Sequence, residues 1–405
     1  MQRLLAPART LARHRTLLVL LACCLLLGLG YSFVGPFYSL FGTQEAGMSP
    51  MVFGVFMTIT TLSGIGLSTL LARVSDTRTT RRTMLLLGSV AGVLGYGSFA
   101  FVRDPVWLTV LGSLLFGLSS ITFSQLFAHA REVLMTSGVP ASDAPLYMNV
   151  FRLFMALAWT VGPAIASLVM IRHGFVGTFL GASACFVLLA LAVLFFVPAV
   201  PVPGAANVTR ISLHASLVRS DILGHFLAFA LVFTAGTMCM ITLPLFVTQV
   251  LGGTVKQVGI IYCVAPIFEL PLMFWLGVLA TRGDQSRLIR ASVVLAVVYY
   301  GSVGLVGAPW HIYPLQVLTA VVTAVTQGVA ITFFQNFLPD QPGTATNLFA
   351  TAQRLGSMTG YLVVGIILET AGFRAVFAVC AGLCASSLFL LWVYRPLGAG
   401  ATQAA

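Results

Sequence analysis

A charged side chain lies inside a long apolar run near the middle of the sequence. Asn149, Arg152 and Trp159 all fall within the hydrophobic stretch at about 146–171. A charge at the centre of a bilayer costs about 2.5–3.5 kcal/mol on insertion scales, so such a residue usually lies against protein or lines a wet cavity. At about 100° per residue, the three side chains share one helix face. An amide, a guanidinium and an indole on one face could bind a hydroxyl-rich solute.

Glu269 is the acidic residue that lies deepest in an apolar run. Pro266 and Pro271 flank it and can loosen helix hydrogen bonding, and Tyr262 precedes it by seven residues on the same face. A carboxylic acid in a low-dielectric site favours its neutral form and could load and release a proton near neutral pH. The functional interpretation is proton coupling or substrate binding. The alternative is a permanently neutral or ion-paired acid with a structural role.

Further polar side chains within the apolar runs extend this candidate site. Sugars need amides that hydrogen-bond their hydroxyls and an aromatic face against which the ring can lie. The candidates are Gln125, Gln327, Gln335, Asn347, Arg354 and Tyr31. Membrane helices also use amides to hold one another, and an arginine can extend to the membrane surface. Packing therefore remains the alternative for each of these residues.

The composition places these residues in a membrane protein. The chain has 405 residues, of which 59% are hydrophobic and 8% charged, whereas soluble proteins carry about 25% charged residues. All seven cysteines lie in apolar runs without metal-ligand spacing. We therefore expect no metal site and no cofactor.

The hydrophobic runs predict an all-α membrane protein with twelve transmembrane helices in two six-helix repeats. A span needs about 20 residues, and the runs lie at about 17–40, 51–72, 84–101, 107–128, 146–171, 175–197, 222–247, 258–280, 289–306, 312–334, 344–370 and 373–394. The longest polar gap separates the two groups. It predicts an N-terminal six-helix bundle in 1–197, a cytoplasmic linker in 198–220 and a C-terminal six-helix bundle in 221–405.

The positions of the basic residues predict the orientation in the membrane. The net charge is +11, but the basic residues cluster between alternate hydrophobic runs, as the positive-inside rule expects. A nucleic-acid-binding face would form one contiguous patch, so no nucleic-acid partner is expected. With the N-terminus in the cytoplasm, the only basic residues on the outer side are Arg103, Arg172, Lys256 and Arg374. Both termini and the linker are therefore predicted to be cytoplasmic.

An internal repeat relates the two groups of helices. The matched pairs are Pro36 with Pro244, Asp76 with Asp284, Gln125 with Gln335, Asn149 with Asn347, and Gly162 with Gly360. Their common order indicates a duplicated six-helix unit, which is the layout of major facilitator transporters. The repeat aligns Arg152 with Ala350, so the guanidinium at that register belongs to one half alone.

Several segments resemble the bacterial sugar efflux transporters within the major facilitator superfamily. They are Gln125-Leu-Phe-Ala-His-Ala-Arg131-Glu132, then Arg152 with Leu157-Ala-Trp159-Thr-Val-Gly162-Pro163, then Glu269-Leu-Pro271, and Phe334-Gln335-Asn-Phe-Leu-Pro339 with Gly343-Thr-Ala-Thr346. The resemblance implies proton-linked export of sugars, glycosides or sugar analogues by a monomer in the bacterial cytoplasmic (inner) membrane.

The same resemblance implies a cytoplasmic gate. The loop that begins at Ser75 is similar to the superfamily pattern of an acidic residue followed by basic ones, although the glycine that often follows the aspartate is missing. The expected gate residues are Asp76, Arg78, Arg81, Arg82, Arg131 and Glu132. Such pairs can act as a latch that breaks when the two halves rock. The alternative is charge that only sets topology, because exposed pairs contribute about 0–1 kcal/mol.

Together these features predict a secondary transporter that exports a sugar-like solute in exchange for protons by alternating access. A drug or antibiotic exporter of the same fold is the alternative, and a wide apolar cavity would favour it. The sequence has no H-E-x-x-H, no G-x-S-x-G and no P-loop, so neither an enzyme nor an ATP-driven pump is expected. The two-fold repeat with one central acid fits a transporter with alternating access better than a receptor or a channel.

Overall fold

The computed structural model describes residues 15–75, 80–137, 144–198, 219–338 and 342–394. These residues form helices and short connections, with no β-strand among them. Ten helical stretches in this part of the chain are long and apolar enough to cross a membrane, by length and composition. The predicted all-α membrane fold is confirmed.

The first half contains six helices. They are α1 (Arg15–Glu45), α2 (Pro50–Ser75), α3 (Arg81–Phe101), α4 (Pro105–Thr136), α5 (144–173) and α6 (175–196). The last two form one stretch, Ala144–Phe196, that breaks at Gly174, where φ is 61°. This left-handed backbone region favours glycine. Side-chain caps start two helices: Thr80 accepts a hydrogen bond from the Thr83 amide, and Asp104 accepts from the Val106 and Trp107 amides.

The second half repeats this pattern. Its helices are α7 (Ser220–Val250), α8 (Val255–Arg282), α9 (Gln285–Leu305), α10 (Pro309–Phe337), α11 (Pro342–Thr370) and α12 (Gly372–Val393). Thr254 and Gln257 form a capping box at the start of α8, and that helix continues through Pro266 and Pro271. Polar side chains lower the hydropathy of α11, and it is the one of these six helices that is not among the ten stretches long and apolar enough to cross a membrane.

Irregular turns recur at matching places in the two halves. Both α1 and α7 end in a π-helical turn, at Phe41–Glu45 and Phe246–Val250. Both α4 and α10 contain a π-helical turn within the helix, at Gly112–Phe116 and Ala324–Val329. Such turns are rare and are often found at functional sites. Their recurrence supports the duplicated unit that the sequence predicts.

Packing divides the described chain into two compact units. The first comprises residues within 15–48, 56–198 and Val258–Cys263, and the second comprises Ser49–Val55 and residues within 219–257 and 264–394. These units follow the predicted bundles except at two short segments. The division at 198–220 remains a prediction, since 199–218 lie outside the described part of the chain.

Close backbone contacts explain why Ser49–Val55 is part of the second unit and Val258–Cys263 part of the first. Within the second unit, a Cβ at Gly365 of α11 would lie 2.8 Å from the Met51 Cα, and the Glu369 carboxylate accepts the Met51 amide at 3.1 Å. Within the first unit, a Cβ at Gly259 of α8 would lie 2.7 Å from the Pro163 carbonyl oxygen. Glycine permits this approach because it has no side chain.

Glycines also hold the fifth helix of each half against the first. In the first unit, a Cβ at Gly162 would overlap the Ser32 Oγ, and that hydroxyl donates to the Ala158 carbonyl at 3.2 Å. In the second unit, a Cβ at Gly360 would lie 2.9 Å from the Thr234 carbonyl oxygen. The two glycines that the sequence repeat pairs therefore have the same structural role.

Candidate functional site

Glu269 lies half-buried in α8. No hydrogen bond or ion pair links its carboxyl group to another described residue. The prolines on either side, Pro266 and Pro271, each remove an N–H from the helix hydrogen-bond ladder. No cation neutralises Glu269 among the described residues, so the ion-paired structural interpretation has no partner there, whereas the proton-carrying and the permanently neutral interpretations both remain.

The polar set on α5 lies in the first unit. Asn149 and Arg152 are exposed and Trp159 is half-buried. None of the three side chains hydrogen-bonds to another residue in the described ranges. Their exposure is compatible with a binding role, and an arginine that extends to the membrane surface would also be exposed.

The candidates on α10 and α11 lie in the second unit. Asn347 and Arg354 are exposed, and Gln327 is half-buried within the π-helical turn Ala324–Val329. Gln335 donates to the Thr346 hydroxyl at 3.1 Å and so joins α10 to α11. Helix packing accounts for Gln335, whereas the other three remain candidates for substrate contact.

Two of the six expected gate residues, Arg81 and Glu132, form a cluster at the start of α3 and the end of α4. The Arg81 Nε donates to the Glu132 carboxylate, and its Nη1 lies 3.4 Å from the Gln125 Oε1. Gln125 is buried, and its contact with Arg81 makes it part of this cluster as well as of the candidate sugar set. Arg82 instead donates to the Leu194 carbonyl at 2.6 Å, at the end of α6. An arginine there satisfies carbonyls that lack helix partners.

The remaining gate residues do not join this cluster. Arg131 is exposed on α4. Asp76 and Arg78 lie outside the described residues. Of the six predicted gate residues, the structure therefore brings together Arg81 and Glu132.

His129 is a residue of this cluster to which the sequence reasoning gave no role. It is fully buried on α4, and its Nδ1 lies 4.0 Å from the Glu132 Oε2. Neither ring nitrogen has a hydrogen-bond partner among the described residues. The sequence signal is its spacing, three residues before Glu132 and four after Gln125, which places all three on one helix face.

A cavity of about 290 Å³ lies within the first unit. It is lined by Tyr31, Tyr96, Phe116, Ser119 and Ser120, from α1, α3 and α4. Tyr31 is the only one of the five that the sequence put forward. Single serines and tyrosines within apolar helices have no distinguishing pattern, so the other four could not be found from the sequence.

The remaining aromatic candidate, Tyr262, is half-buried near the start of α8. It belongs to the segment Val258–Cys263, which packs in the first unit, whereas Glu269 on the same helix belongs to the second. Tyr262 and Glu269 therefore share a face of α8 but do not pack in the same unit.

Comparisons of sequence and of structure both find similarity to membrane transporters. The profile of the Major Facilitator Superfamily matches residues 20–360 and 226–404. A Deinococcus radiodurans protein named as a sugar efflux transporter is 36% identical over 376 residues, which cover 92% of this chain and 96% of that protein. Sugar efflux transporter A of Dickeya chrysanthemi is 29% identical over 398 residues, which cover 96% and 99%. The crystal structure of the nucleoside transporter NupG is similar in fold, with a TM-score of 0.75, 14% identity and coverage of 93% and 97%.

Proposed function

Since the chain belongs to the major facilitator superfamily and, within it, to the bacterial sugar efflux transporters, we propose that it exports sugars, glycosides or sugar analogues in exchange for protons. The chain is therefore a multi-pass membrane protein that transports sugars, and it is not an enzyme. The proposal adds the coupling ion and the direction of transport. Glu269 carries the proposal, because it is an acid within a membrane helix that has no described partner.

The chemistry of the coupling follows from the cost of charge in a membrane. A carboxylate within a span is expensive unless it is paired or hydrated, so proton binding lowers that cost. A conformation that hydrates Glu269 favours proton release, and one that excludes water favours the neutral acid. If the halves rock between two such conformations, each cycle carries a proton one way and sugar the other.

The proposed substrate and coupling residues combine one acid with amides, guanidinium groups and aromatic rings. Besides Glu269 they are Arg152, Asn149, Trp159, Tyr262, Gln125, Gln327, Asn347 and Arg354. The proposed setting is the bacterial cytoplasmic membrane, with both termini in the cytoplasm and the protein acting as a monomer. Protons and a sugar-like solute are the proposed partners, without nucleic acid.

Inverted membrane vesicles test this function. With a proton gradient imposed, inside acidic, wild-type vesicles should accumulate at least one of radiolabelled glucose, galactose or maltose, and a protonophore should abolish the accumulation. Glu269→Gln should lose gradient-driven uptake and keep sugar counterflow, since an amide cannot exchange a proton. Glu45→Gln is the matched control, because that acid lies at the end of α1 and pairs with Arg103 at 3.1 Å.

Two results would overturn parts of the proposal. Full gradient-driven uptake by Glu269→Gln would remove Glu269 as the proton carrier. Uptake of ethidium without uptake of any sugar would favour the drug exporter of the same fold.

An apolar cavity bears on that alternative. It has about 460 Å³ and lies in the second unit between α9 and α12, with Phe389 and Trp392 on its lining. These two side chains are 67% and 61% exposed, as expected of residues that face lipid. Lipid contact accounts for this cavity, and we assign no drug site to it.

A further inference from the structure

We propose that the cavity in the first unit is a subsite for one neutral sugar ring, in which Ser119 hydrogen-bonds a sugar hydroxyl. Tyr31, Tyr96 and Phe116 would cover the ring. This inference rests on the proposed function, because it takes a sugar as the transported solute. It assigns a site in α1, α3 and α4, apart from the candidates on α5, α8, α10 and α11.

Ser119 is the residue that points to a ligand. It is 3% exposed, and its Oγ has no hydrogen-bond partner among the described residues. Serines within helices commonly donate to the carbonyl three or four residues earlier. The neighbouring Ser120 does so, donating to the Gly117 carbonyl at 2.7 Å, and Ser124 donates to the Ile121 carbonyl at 3.0 Å. Ser119 makes no such bond, and a buried hydroxyl left without a partner is costly.

The aromatic rings of the cavity are held in place by packing behind them. The Phe186 ring lies 5.3 Å from the Tyr96 ring and 5.9 Å from the Tyr31 ring, between centroids. Gly30 and Gly92 make room for Phe186: a Cβ at Gly30 would lie 2.7 Å from its ring, and a Cβ at Gly92 would overlap it. A fixed aromatic wall can contact the C–H face of a sugar without an ordering cost at binding.

The tyrosine hydroxyls add hydrogen-bonding capacity. No hydrogen bond joins the hydroxyl of Tyr31 or Tyr96 to another described residue. Buried tyrosine hydroxyls usually find a partner, because each can donate and accept. The Phe116 ring packs 4.8 Å from Tyr96. The cavity therefore combines an aromatic wall with hydroxyl groups that a bound solute could satisfy.

The size and charge of the cavity define the class of ligand. Its volume of about 290 Å³ lies just below the range of about 300–1,000 Å³ for ligand pockets. None of the lining residues is charged. A neutral single sugar ring fits this description, and a sugar phosphate does not, since no cation would balance its charge.

The backbone beside the cavity is irregular. Phe116 ends the π-helical turn Gly112–Phe116, and Ser119 ends the short helical segment that follows. Turns of this kind often mark functional sites in helices. The turn widens α4 locally, immediately before the residues that line the cavity.

Three variants of the full chain test the subsite. Ser119→Ala removes a hydroxyl that makes no described intramolecular hydrogen bond, so folding should be preserved. Tyr96→Phe removes one further hydroxyl. Ser387→Ala is the matched control, because Ser387 is also buried with an unpartnered Oγ but lies on α12 in the second unit. Vesicle uptake of glucose, galactose and maltose gives KM and maximal rate for each variant.

The expected result is a rise in KM of roughly 2- to 10-fold for Ser119→Ala, the effect of one lost hydrogen bond. Tyr96→Phe should show a similar rise, and Ser387→Ala should keep wild-type values. The maximal rate of Ser119→Ala should change little. A wild-type KM in Ser119→Ala for every transported sugar, or an equal rise in Ser387→Ala, would overturn the subsite.

A second measurement separates this inference from the proposed function. Sugar should raise the unfolding temperature of the detergent-purified wild type by binding the folded state, and raise that of Ser119→Ala less at equal concentration. Sugar stabilisation without proton-driven uptake would overturn the proton coupling and keep the subsite. Proton-driven uptake with identical stabilisation of both proteins would keep the function and overturn the subsite.

Discussion

At the scale of single residues, the pair of Arg81 and Glu132 is the part of the predicted gate with defined geometry. The two side chains are 21% and 18% exposed, so water screens them less than it screens a surface pair. Gln125 lies beside the guanidinium, and His129 lies beside the carboxylate. Removing one partner leaves the other charge partly buried, which costs more than the net attraction of the pair.

A double-mutant cycle tests this pair. Glu132→Gln alone should lower the free energy of unfolding by about 1–3 kcal/mol, because Arg81 then lacks its carboxylate. Arg81→Gln combined with Glu132→Gln should cost less than the sum of the single changes. Chemical unfolding of the full chain in detergent gives these values.

The control for this cycle is Arg82→Gln. Its guanidinium bonds the Leu194 carbonyl and not Glu132, so its effect should add to that of Glu132→Gln. Equal coupling energies of Glu132 with Arg81 and with Arg82 would show that Glu132 interacts with the overall positive charge of this region and does not form a specific pair with Arg81.

At the scale of elements, glycine contacts fix the first and fifth helices of each half. Gly162 faces Ser32 of α1, and Gly360 faces Thr234 of α7. Association of membrane helices depends on close packing and not on hydrophobic burial, so small residues at these crossings have a large effect. The sequence repeat pairs the two glycines, and the structure supplies the reason.

Gly162→Ala should therefore destabilise the protein by about 1–3 kcal/mol, since the new methyl group overlaps Ser32 and forces the helices apart. Ser32→Gly in the same chain should restore part of that loss. Gly382→Ala provides the comparison, because nothing lies within 4 Å of a Cβ at that position. It should be neutral or stabilise by up to about 1 kcal/mol through helix propensity. Thermal unfolding in one detergent compares all three variants, and equal losses at Gly162 and Gly382 would contradict the packing explanation.

The lengths of the hydrophobic runs made the helices predictable. Asp104 and Asp284 begin helices in the structure, and the predicted boundary between the fifth and sixth spans falls at Gly174. The π-helical turns could not be predicted, because no residue type specifies them and tertiary packing selects them. The cavity at Ser119 lies beside such a turn.

The candidate site was predictable where a residue type conflicts with its surroundings. Glu269 and Arg152 are charges within apolar runs, and the cost of burying charge identifies them without any structure. Ser119 and His129 create no such conflict in the sequence. What distinguishes them is the lack of a described hydrogen-bond partner for Ser119 Oγ and for the His129 ring nitrogens, which appears only once neighbouring helices are placed.

At the scale of the whole molecule, two of the four basic residues predicted outside have structural partners. Arg103 pairs with Glu45 at 3.1 Å, and Arg374 donates to the Gly304 carbonyl at 2.7 Å at the end of α9. The positive-inside rule disfavours arginines on this side, and these contacts explain why they are retained there. Their removal should weaken helix ends without reversing the orientation, which the more numerous inner charges determine.

Orientation determines which face of the protein meets the cytoplasm, so it is the prediction on which the cytoplasmic position of the gate depends. Gly307 follows α9 and Gly283 precedes it, on opposite ends of one helix. In intact cells a membrane-impermeant maleimide should label Gly307→Cys, whereas Gly283→Cys should react only after permeabilisation. The native cysteines are buried or half-buried, and the unmodified chain gives their background. The reverse labelling pattern would place the termini outside, and the cluster of Arg81 and Glu132 would then lie on the outer side and could not be a cytoplasmic gate.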